Sequence, residues 1–379
     1  MSLEWNFYKL KDLINLRTGK LDSNAEESDG DYPFFTCAPD PLKINSFSFN
    51  QKAILLAGNN ANGNFHINYY DGKFDAYQRT YVIDVLDKEK INLKFLYYAL
   101  KICLSDFKRM SQGTSTRFLT KKILDNFEVQ VPQMETQWKI VEILDSISNK
   151  IKINQEINKN LYGILLNYFN EIFDHKEKNC KLSDIVNIRR GASPRPIKDY
   201  ISDAGINWLK ISDVTGTEMP FIYKIKEKII EKGKSKSVFI EKGTLVVSNS
   251  ATPGIPKFIM VDTCVHDGWL VLNEYEDNLR YYLYFLIVKI RRELINLAYG
   301  SVFNNLKTDT LKNYEISKPT DDQLDKFNKM ANPIMEKIDS NTKEIMMLSK
   351  LRDTLLPKLM SGEIDVSQIN CDLDEPVME

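Results

Sequence analysis

The sequence predicts an α+β protein: two repeated mixed α/β domains separated by two long antiparallel coiled-coil helices, with pseudo-twofold symmetry. Three observations carry that expectation. Lys9-Leu10-Lys11-Asp12-Leu13-Ile14-Asn15-Leu16-Arg17-Thr18-Gly19 returns as Lys181-Leu182-Ser183-Asp184-Ile185-Val186-Asn187-Ile188-Arg189-Arg190-Gly191. Gly113, Leu119, Leu124, Asn126, Phe127 and Pro132 recur as Gly300, Leu306, Leu311, Asn313, Tyr314 and Pro319, every pair 187 residues apart. After each of those prolines an apolar ladder climbs in steps of four and three. A repeat this long is domain-sized, so each copy buries a core of its own instead of stacking as a solenoid unit.

In the first copy, short β-type runs follow Gly19: Tyr32 to Phe35, Ala53 to Leu56 and Thr80 to Ile83. Between them lie Gly58 to Asn64 and Asp71-Gly72-Lys73, whose residues tolerate positive φ and read as loops. The second copy offers Asn207 to Ile211, Thr244 to Val247 and Trp269 to Leu272 as strands, with loops at Ser248 to Gly254 and Val265 to Gly268. Helical patterns close the two modules, Asn92 to Arg109 and Leu279 to Leu297.

The ladders define the spacers. Ile140, Leu144, Ile147, Ile151, Asn154, Asn158, Leu161, Leu165, Tyr168 and Ile172 form one. Phe327, Ala331, Ile334, Ile338, Asn341, Ile345, Leu348, Arg352, Leu355 and Leu359 form the other, at the same 187-residue offset. Each is a heptad seam that suits the other as partner. Asn154 and Asn341 occupy equivalent seam positions, where a buried amide penalises registers that leave it unpaired. A seam rotated through Ile153 and Ile157 is the competing arrangement, favoured by the polar Asn158 beside Asn154. Roughly 35 helical residues make a rod of about 50 Å, a spacer that would hold two modules apart. The expected segments are residues 1–132, a first module; 133–175, a central spacer helix; 176–319, a second module; 320–362, a C-terminal spacer helix; and 363–379, an acidic, disordered tail.

Composition excludes several classes. Of 379 residues, 43% are hydrophobic and 27% charged, which describes a globular chain. Five cysteines (Cys37, Cys103, Cys180, Cys264, Cys371) show no CxxC spacing and read as reduced thiols. Neither a signal peptide nor a membrane-length apolar run is present, so a cytoplasmic protein is expected. The near-zero net charge hides an asymmetry: six acids and no base follow Leu359-Met360-Ser361-Gly362, and without them 51 bases face 46 acids. That excess permits a polyanionic partner without requiring one.

Catalytic constellations are missing. Gly58 and Gly63 have Walker spacing, but Asn64-Phe65 replaces the required Lys and Ser/Thr. Asn332-Pro333-Ile334 is the nearest approach to an amine-methylating loop, and it falls inside a helical pattern. His66, His175 and His266 are too scattered for a metal cluster, and Asp40-Pro41-Leu42-Lys43 is a chance-level nuclease pattern. The loops offer hydrogen-bonding capacity instead, with Asn, Gln and Arg suited to base edges and Ser and Thr to phosphates. The candidates in the first module are Asn59, Asn60, Asn62, Asn64, Tyr77, Gln78, Arg79, Thr80 and Arg117. In the second they are Arg190, Ser193, Arg195, Lys210, Ser248, Asn249, Ser250, Thr252, His266, Asp267 and Asn304. Turn-forming, solvated loops are the alternative for any one of them.

Several of these features together resemble a known family. The Leu-x-x-Ile/Leu opening that ends in Arg-x-Gly, Gly113-Thr114-Ser115-Thr116-Arg117-Phe118-Leu119, Pro132 ahead of a helix, and Leu355-Leu356-Pro357-Lys358-Leu359-Met360-Ser361-Gly362-Glu363-Ile364 look like type I restriction-modification specificity subunits. The resemblance runs from about Trp5 to Val366. It implies a non-catalytic subunit in which two target-recognition domains each read half of a bipartite, asymmetric double-stranded DNA target. It further implies that the helices set the gap and recruit two methylation subunits carrying S-adenosylmethionine. A third subunit type would add translocation and cleavage driven by ATP with magnesium; no cofactor or metal is expected on this chain, and no membrane. One departure is the helix-start glutamine, five residues after Pro132 (Gln137) but four after Pro319 (Gln323). A two-headed, protein-binding adaptor with a coiled-coil spacer is the alternative that the residues leave open.

Overall fold

The computed structural model describes residues 5–174, 177–217, 219–299 and 305–367. The chain divides into two compact units, Met1–Ile151 with Met347–Glu379, and Lys152–Met346. The division cuts through both spacer helices instead of falling at their ends, so each unit combines one module with a part of each helix. Asn304, His175, Cys371 and residues 368–379 of the acidic tail lie outside the described residues; the first part of the tail expected to be disordered, residues 363–367, is described, with Val366 buried in the core of the first unit and Ile364 packed against it.

In the first unit, β1 (Asn6–Lys9) leads through a 3-10 turn to β2 (Ile14–Thr18), followed by β3 (Tyr32–Phe35), β4 (Leu42–Ile44), β5 (Phe49–Ala57), β6 (Asn59–Asn60), β7 (Ile67–Ala76) and β8 (Thr80–Val85). The main sheet has the order β2-β8-β5-β7-β3-β4, antiparallel except where β3 runs parallel to the end of β7. Its alternation buries Ile54, Leu56 and Ile83 on one face and Ala53, Leu55 and Val82 on the other. The expected loop at Asp71-Gly72-Lys73 is instead the middle of β7, paired in register with Gln51 and its neighbours. Gly72, at φ +136°, takes a conformation that suits glycine without leaving the ladder, and the long hairpin supplies the partners that local propensity lacked.

The expected single helix from Asn92 to Arg109 is two, α1 (Leu93–Ile102) and α2 (Leu104–Met110), broken at Cys103. Asn92 caps α1 by accepting from the Lys94 and Phe95 amides. The displaced glutamine explains itself here: buried Gln137 accepts from the Asn92 amide and donates to the carbonyls of Lys90 and Pro132. Gln323 follows a different plan, a capping box in which it and Thr320 bond each other's backbone amides. After α2, β9 (Arg117–Phe118), α3 (Lys121–Asn126) and β10 (Glu128–Val131) complete the module, and β10 closes on β1. The helix α4 (Met134–Ile172) follows.

The second unit repeats the plan with β11 (Cys180–Lys181) and β12 (Asn187–Arg190), then β13 (Ile201–Ser202), β14 (Ile206–Leu209), β15 (Phe221–Ile222), β16 (Glu227–Ile229), β17 (Val238–Ile240), β18 (Thr244–Ser248), β19 (Pro256–Ile259), β20 (Thr263–Val265) and β21 (Trp269–Asn273). The order β12-β21-β18-β19 matches β2-β8-β5-β7, so the two modules share a four-strand antiparallel scaffold. Both also add a parallel strand, β3 on the end of β7 and β14 on β20, but the second module goes further and joins β14 and β20 with β13, β16 and β17 in an additional five-stranded sheet, β13-β16-β14-β20-β17. The helices α5 (Arg280–Tyr299) and α6 (Thr308–Lys312) follow, then β22 (Glu315–Ile316), which pairs with β11 as β10 does with β1. The last helix is α7 (Asp321–Met360), and it carries Asn332 and Pro333 exposed on its surface, where they form no loop.

Within the second unit α4 and α7 run antiparallel, since partners descend on one helix as they ascend on the other. Asn154 donates to Glu344 (2.9 Å), Asn158 accepts from Asn341 (2.9 Å), and the Ile172 carbonyl accepts from Gln323 (3.2 Å). Ile338, Asn341, Asn154 and Asn158 are buried, whereas Ile153 and Ile157 are exposed, which rules out the rotated seam. Leu161, Ile334 and Ile345 flank the line half-buried. In the first unit Ile140, Leu144 and Ile151 are buried and Ile147, Leu348 and Leu355 half-buried. Asn158, which argued against the seam in sequence, is the residue that answers Asn341. Met335, fully buried, was absent from the ladder because it sits beside Ile334 in the heptad count.

Asn341→Leu leaves the side-chain oxygen of Asn158, Oδ1, without the amide that it accepts from. It should destabilise the second unit by about 1–3 kcal/mol, read by denaturant unfolding, and Asn158→Leu/Asn341→Leu should recover most of the loss. Equal destabilisation by the single and double variants would show the amide pair to be unimportant.

Candidate nucleic-acid interface

In each module one residue after the second core strand is held by backbone hydrogen bonds to two distant segments. The Gly58 amide donates to the Arg79 carbonyl (2.8 Å), and the Gly58 carbonyl accepts from the Leu119 amide (2.9 Å). The Asn249 amide donates to the Gly268 carbonyl (2.9 Å), and the Asn249 carbonyl accepts from the Leu306 amide (2.8 Å). The opening glycines complete both junctions. A Cβ on Gly19 would stand 1.8 Å from the Ala76 carbonyl oxygen, and one on Gly191 would stand 2.1 Å from that of His266. No side chain fits there, which gives the glycine of the Arg-x-Gly opening its physical reason.

In the first module this junction gathers the Asn59 to Asn64 loop, Tyr77 to Arg79 and Arg117. β6 pairs with β9, placing Asn60 opposite Arg117. Asn60 folds its own loop by accepting from the amides of Asn62 and Asn64. Gln78 donates to Asp22 (2.5 Å), and the Arg79 guanidinium lies 5.3 Å from the centre of the Phe118 ring. Tyr77 is half-buried, its amide bonded to the Phe35 carbonyl. Thr80 is a correction: it is buried at the start of β8 and cannot reach a ligand. Lys108, which sequence reasoning missed, donates to Asn64 (2.7 Å) from 44 residues away. Only the tertiary fold puts them together.

In the second module Asp267 is the hub. Its carboxylate accepts from Ser193 (2.6 Å) and Arg195 (3.2 Å), and its carbonyl accepts from Arg190 Nε (2.8 Å) and Asn249 Nδ2 (3.0 Å). Burial pushes the Asp267 carboxyl upward, but the Ser193 hydroxyl, its own amide and the charges of Arg195 and His266 outweigh this and hold it below the usual carboxylate range. Ser248 and Asn249 are corrections: both are buried, and they serve the framework, Ser248 by accepting from the Ile255 amide. Ser250 and Thr252 are half-buried on the same loop, whereas Arg190 and Arg195 are exposed. Lys210 lies on another segment, ion-paired with Glu227 (2.5 Å). Among the described residues no cluster of His, Cys, Asp or Glu is arranged to hold a metal, and no helix is long and apolar enough to cross a membrane.

Two modules with one scaffold and the same loop junction form the architecture against which relatives can be compared. The sequence model described as type I restriction modification DNA specificity domain matches residues 2–162 and 176–347, one copy per module. The chain belongs to this family. It is 40% identical over 152 residues to the type I restriction enzyme EcoDI specificity subunit of Escherichia coli, an alignment spanning 40% of this chain but only 33% of that relative. With the MjaVIII specificity subunit of Methanocaldococcus jannaschii the identity is 23%, over 97% of this chain and 94% of the relative. The crystal structure of a type I restriction-modification S subunit from M. genitalium shares the fold, with a TM-score of 0.65 at 16% identity, covering 94% of this chain and 96% of the other.

His266 is the titratable element of the loop. Burial lowers its pKa, against the raising charge of Asp267, and its Nδ1 accepts from the Gly268 amide (2.8 Å). A depressed folded pKa means that its contribution to stability is complete above the ordinary value near 6.5 and is lost as pH falls through the folded midpoint. Imidazole NMR titration should therefore give a midpoint below that value, with loop resonances of Asp267 and Gly268 shifting in step; a midpoint above it would contradict this geometry.

Proposed function

We propose that this chain is the DNA sequence-recognition subunit of a type I restriction-modification enzyme. Each module reads one half of a bipartite, asymmetric duplex target, and the helices recruit methylation subunits. The observation that carries the reading is the repeated junction bearing unlike side chains. Tyr77-Gln78-Arg79 on one copy is replaced by His266-Asp267-Gly268 on the other, each between the same pair of backbone bonds. Shared framework with divergent hydrogen-bonding groups is what two different half-sites require. Arg79 and Arg190 are exposed at these loops, placed where guanidinium forks could meet base edges or phosphates.

Catalysis then belongs to partners. S-adenosylmethionine would sit on two methylation subunits, and ATP with magnesium on a restriction and translocation subunit, in the cytoplasm. α4 and α7 would set the gap between half-sites.

Mapping of methylated adenines in cells carrying the complete system should reveal one bipartite motif that vanishes when this chain is deleted. Replacing the Tyr77 to Arg79 loop should alter one half of the motif and leave the other. Arg79→Ala and Arg190→Ala should weaken DNA binding with the fold retained. A motif indifferent to the deletion would sink the proposal.

A further inference from the structure

The two modules differ in charge where they differ in fold. Between the opening glycine and the second core strand, residues 20–48 of the first module hold two bases and six acids; residues 192–243 of the second hold ten bases and seven acids. Six of those bases, Lys224, Lys226, Lys228, Lys232, Lys234 and Lys236, fall within one stretch. Among the described residues none of the six forms an ion pair, while the nearby Glu227 is engaged by Lys210.

The additional sheet determines where the last three stand. Strand alternation sends Leu209, Ile240 and Val265 inward against the main sheet and turns Trp208, Ile229 and Cys264 outward. Tyr200 and Phe239 cover that outer cluster, and the 3-10 turn Glu231–Lys236 lies beside them. Lys234 Nζ sits 4.0 Å from the centre of the Phe239 ring, and Lys236 Nζ sits 5.1 Å from that of Tyr200 while donating to its hydroxyl (2.5 Å). Lys232 is exposed on the same turn. The aromatic platforms orient the ammonium groups without neutralising them. Ser237, the next residue, ties the turn to the interface by donating to the Ala192 carbonyl (2.8 Å), with the Val265 carbonyl also within reach of its hydroxyl (3.3 Å); these two residues adjoin Gly191 and His266 in the chain.

Resting on the DNA-reading function, we propose that the Lys232–Lys236 turn is a sequence-independent clamp for the DNA sugar-phosphate backbone. It is carried by the second module alone and flanks the loop of Ser193, Arg195 and Asp267. Lysine suits this task, because a compact ammonium meets a phosphate as a point charge without reading a base. The second head therefore anchors the duplex more strongly than the first.

The test uses the full-length chain, with its partner subunits where these are needed for solubility, and a duplex of random sequence. Binding is followed by fluorescence anisotropy between about 50 and 200 mM salt, since each phosphate contact contributes about 0.9 to the slope of log K against log salt. Lys232→Gln/Lys234→Gln/Lys236→Gln, which keeps part of the Lys234 and Lys236 stems over their rings, should make the slope shallower by about 2–3 units. Lys232→Gln alone, at an exposed side chain, should remove about one unit, and Lys20→Gln/Lys43→Gln in the first module should remove less than the triple variant does. Salt-dependent binding by the natural chain with an unchanged slope in the triple variant overturns the clamp alone. No salt-dependent binding by the natural chain overturns the DNA reading and the clamp together.

Discussion

The backbones of two residues, Gly58 and Asn249, do the joining on which each reading surface depends. Each donates to the loop before the last core strand and accepts from the Leu119 or Leu306 segment, so three stretches far apart in sequence meet at one backbone position. Because the junction is built from main-chain atoms, the side chains around it are free to differ. The opening glycines press against the same loops so closely that even a methyl group is excluded. A framework of this kind orders the loops before any ligand arrives, which lowers the entropic cost of binding.

The spacer helices meet a different physical demand. An apolar seam alone tolerates a slip of one heptad, whereas such a slip would break the buried bond from Asn341 to Asn158. Asn154 takes a neighbouring answer in Glu344. Polar groups thus appear where register matters, and apolar ones such as Phe169, Phe327 and Ile338 where only burial does.

The candidate site was partly legible in sequence. Loop positions were visible because Gly, Asn and Ser interrupt strands, and Asn60, Arg79, Arg190 and Asp267 do converge on the two junctions. Thr80, Ser248 and Asn249 looked identical to their neighbours by residue type, yet the fold buries them. Lys108, Asp22 and Ser237 were missed for the converse reason: each acts across a long sequence separation, and nothing in the local pattern of those residues signals its partner. Of the additional sheet of the second module only β14 was legible, as the run from Asn207; its other strands are two or three residues long and carry little periodic signal.

Periodicity and repetition determined by themselves that the chain holds two modules and two long helices. They could do so because heptad steps and a repeated offset are one-dimensional properties, written along the chain. Tertiary structure alone decided which polar residues face outward, that Asp71-Gly72-Lys73 continues a strand, and that Asn158 answers Asn341. Those outcomes depend on partners supplied from elsewhere in the chain, and hydrogen-bond satisfaction in a buried place is a property of the pair, not of either residue.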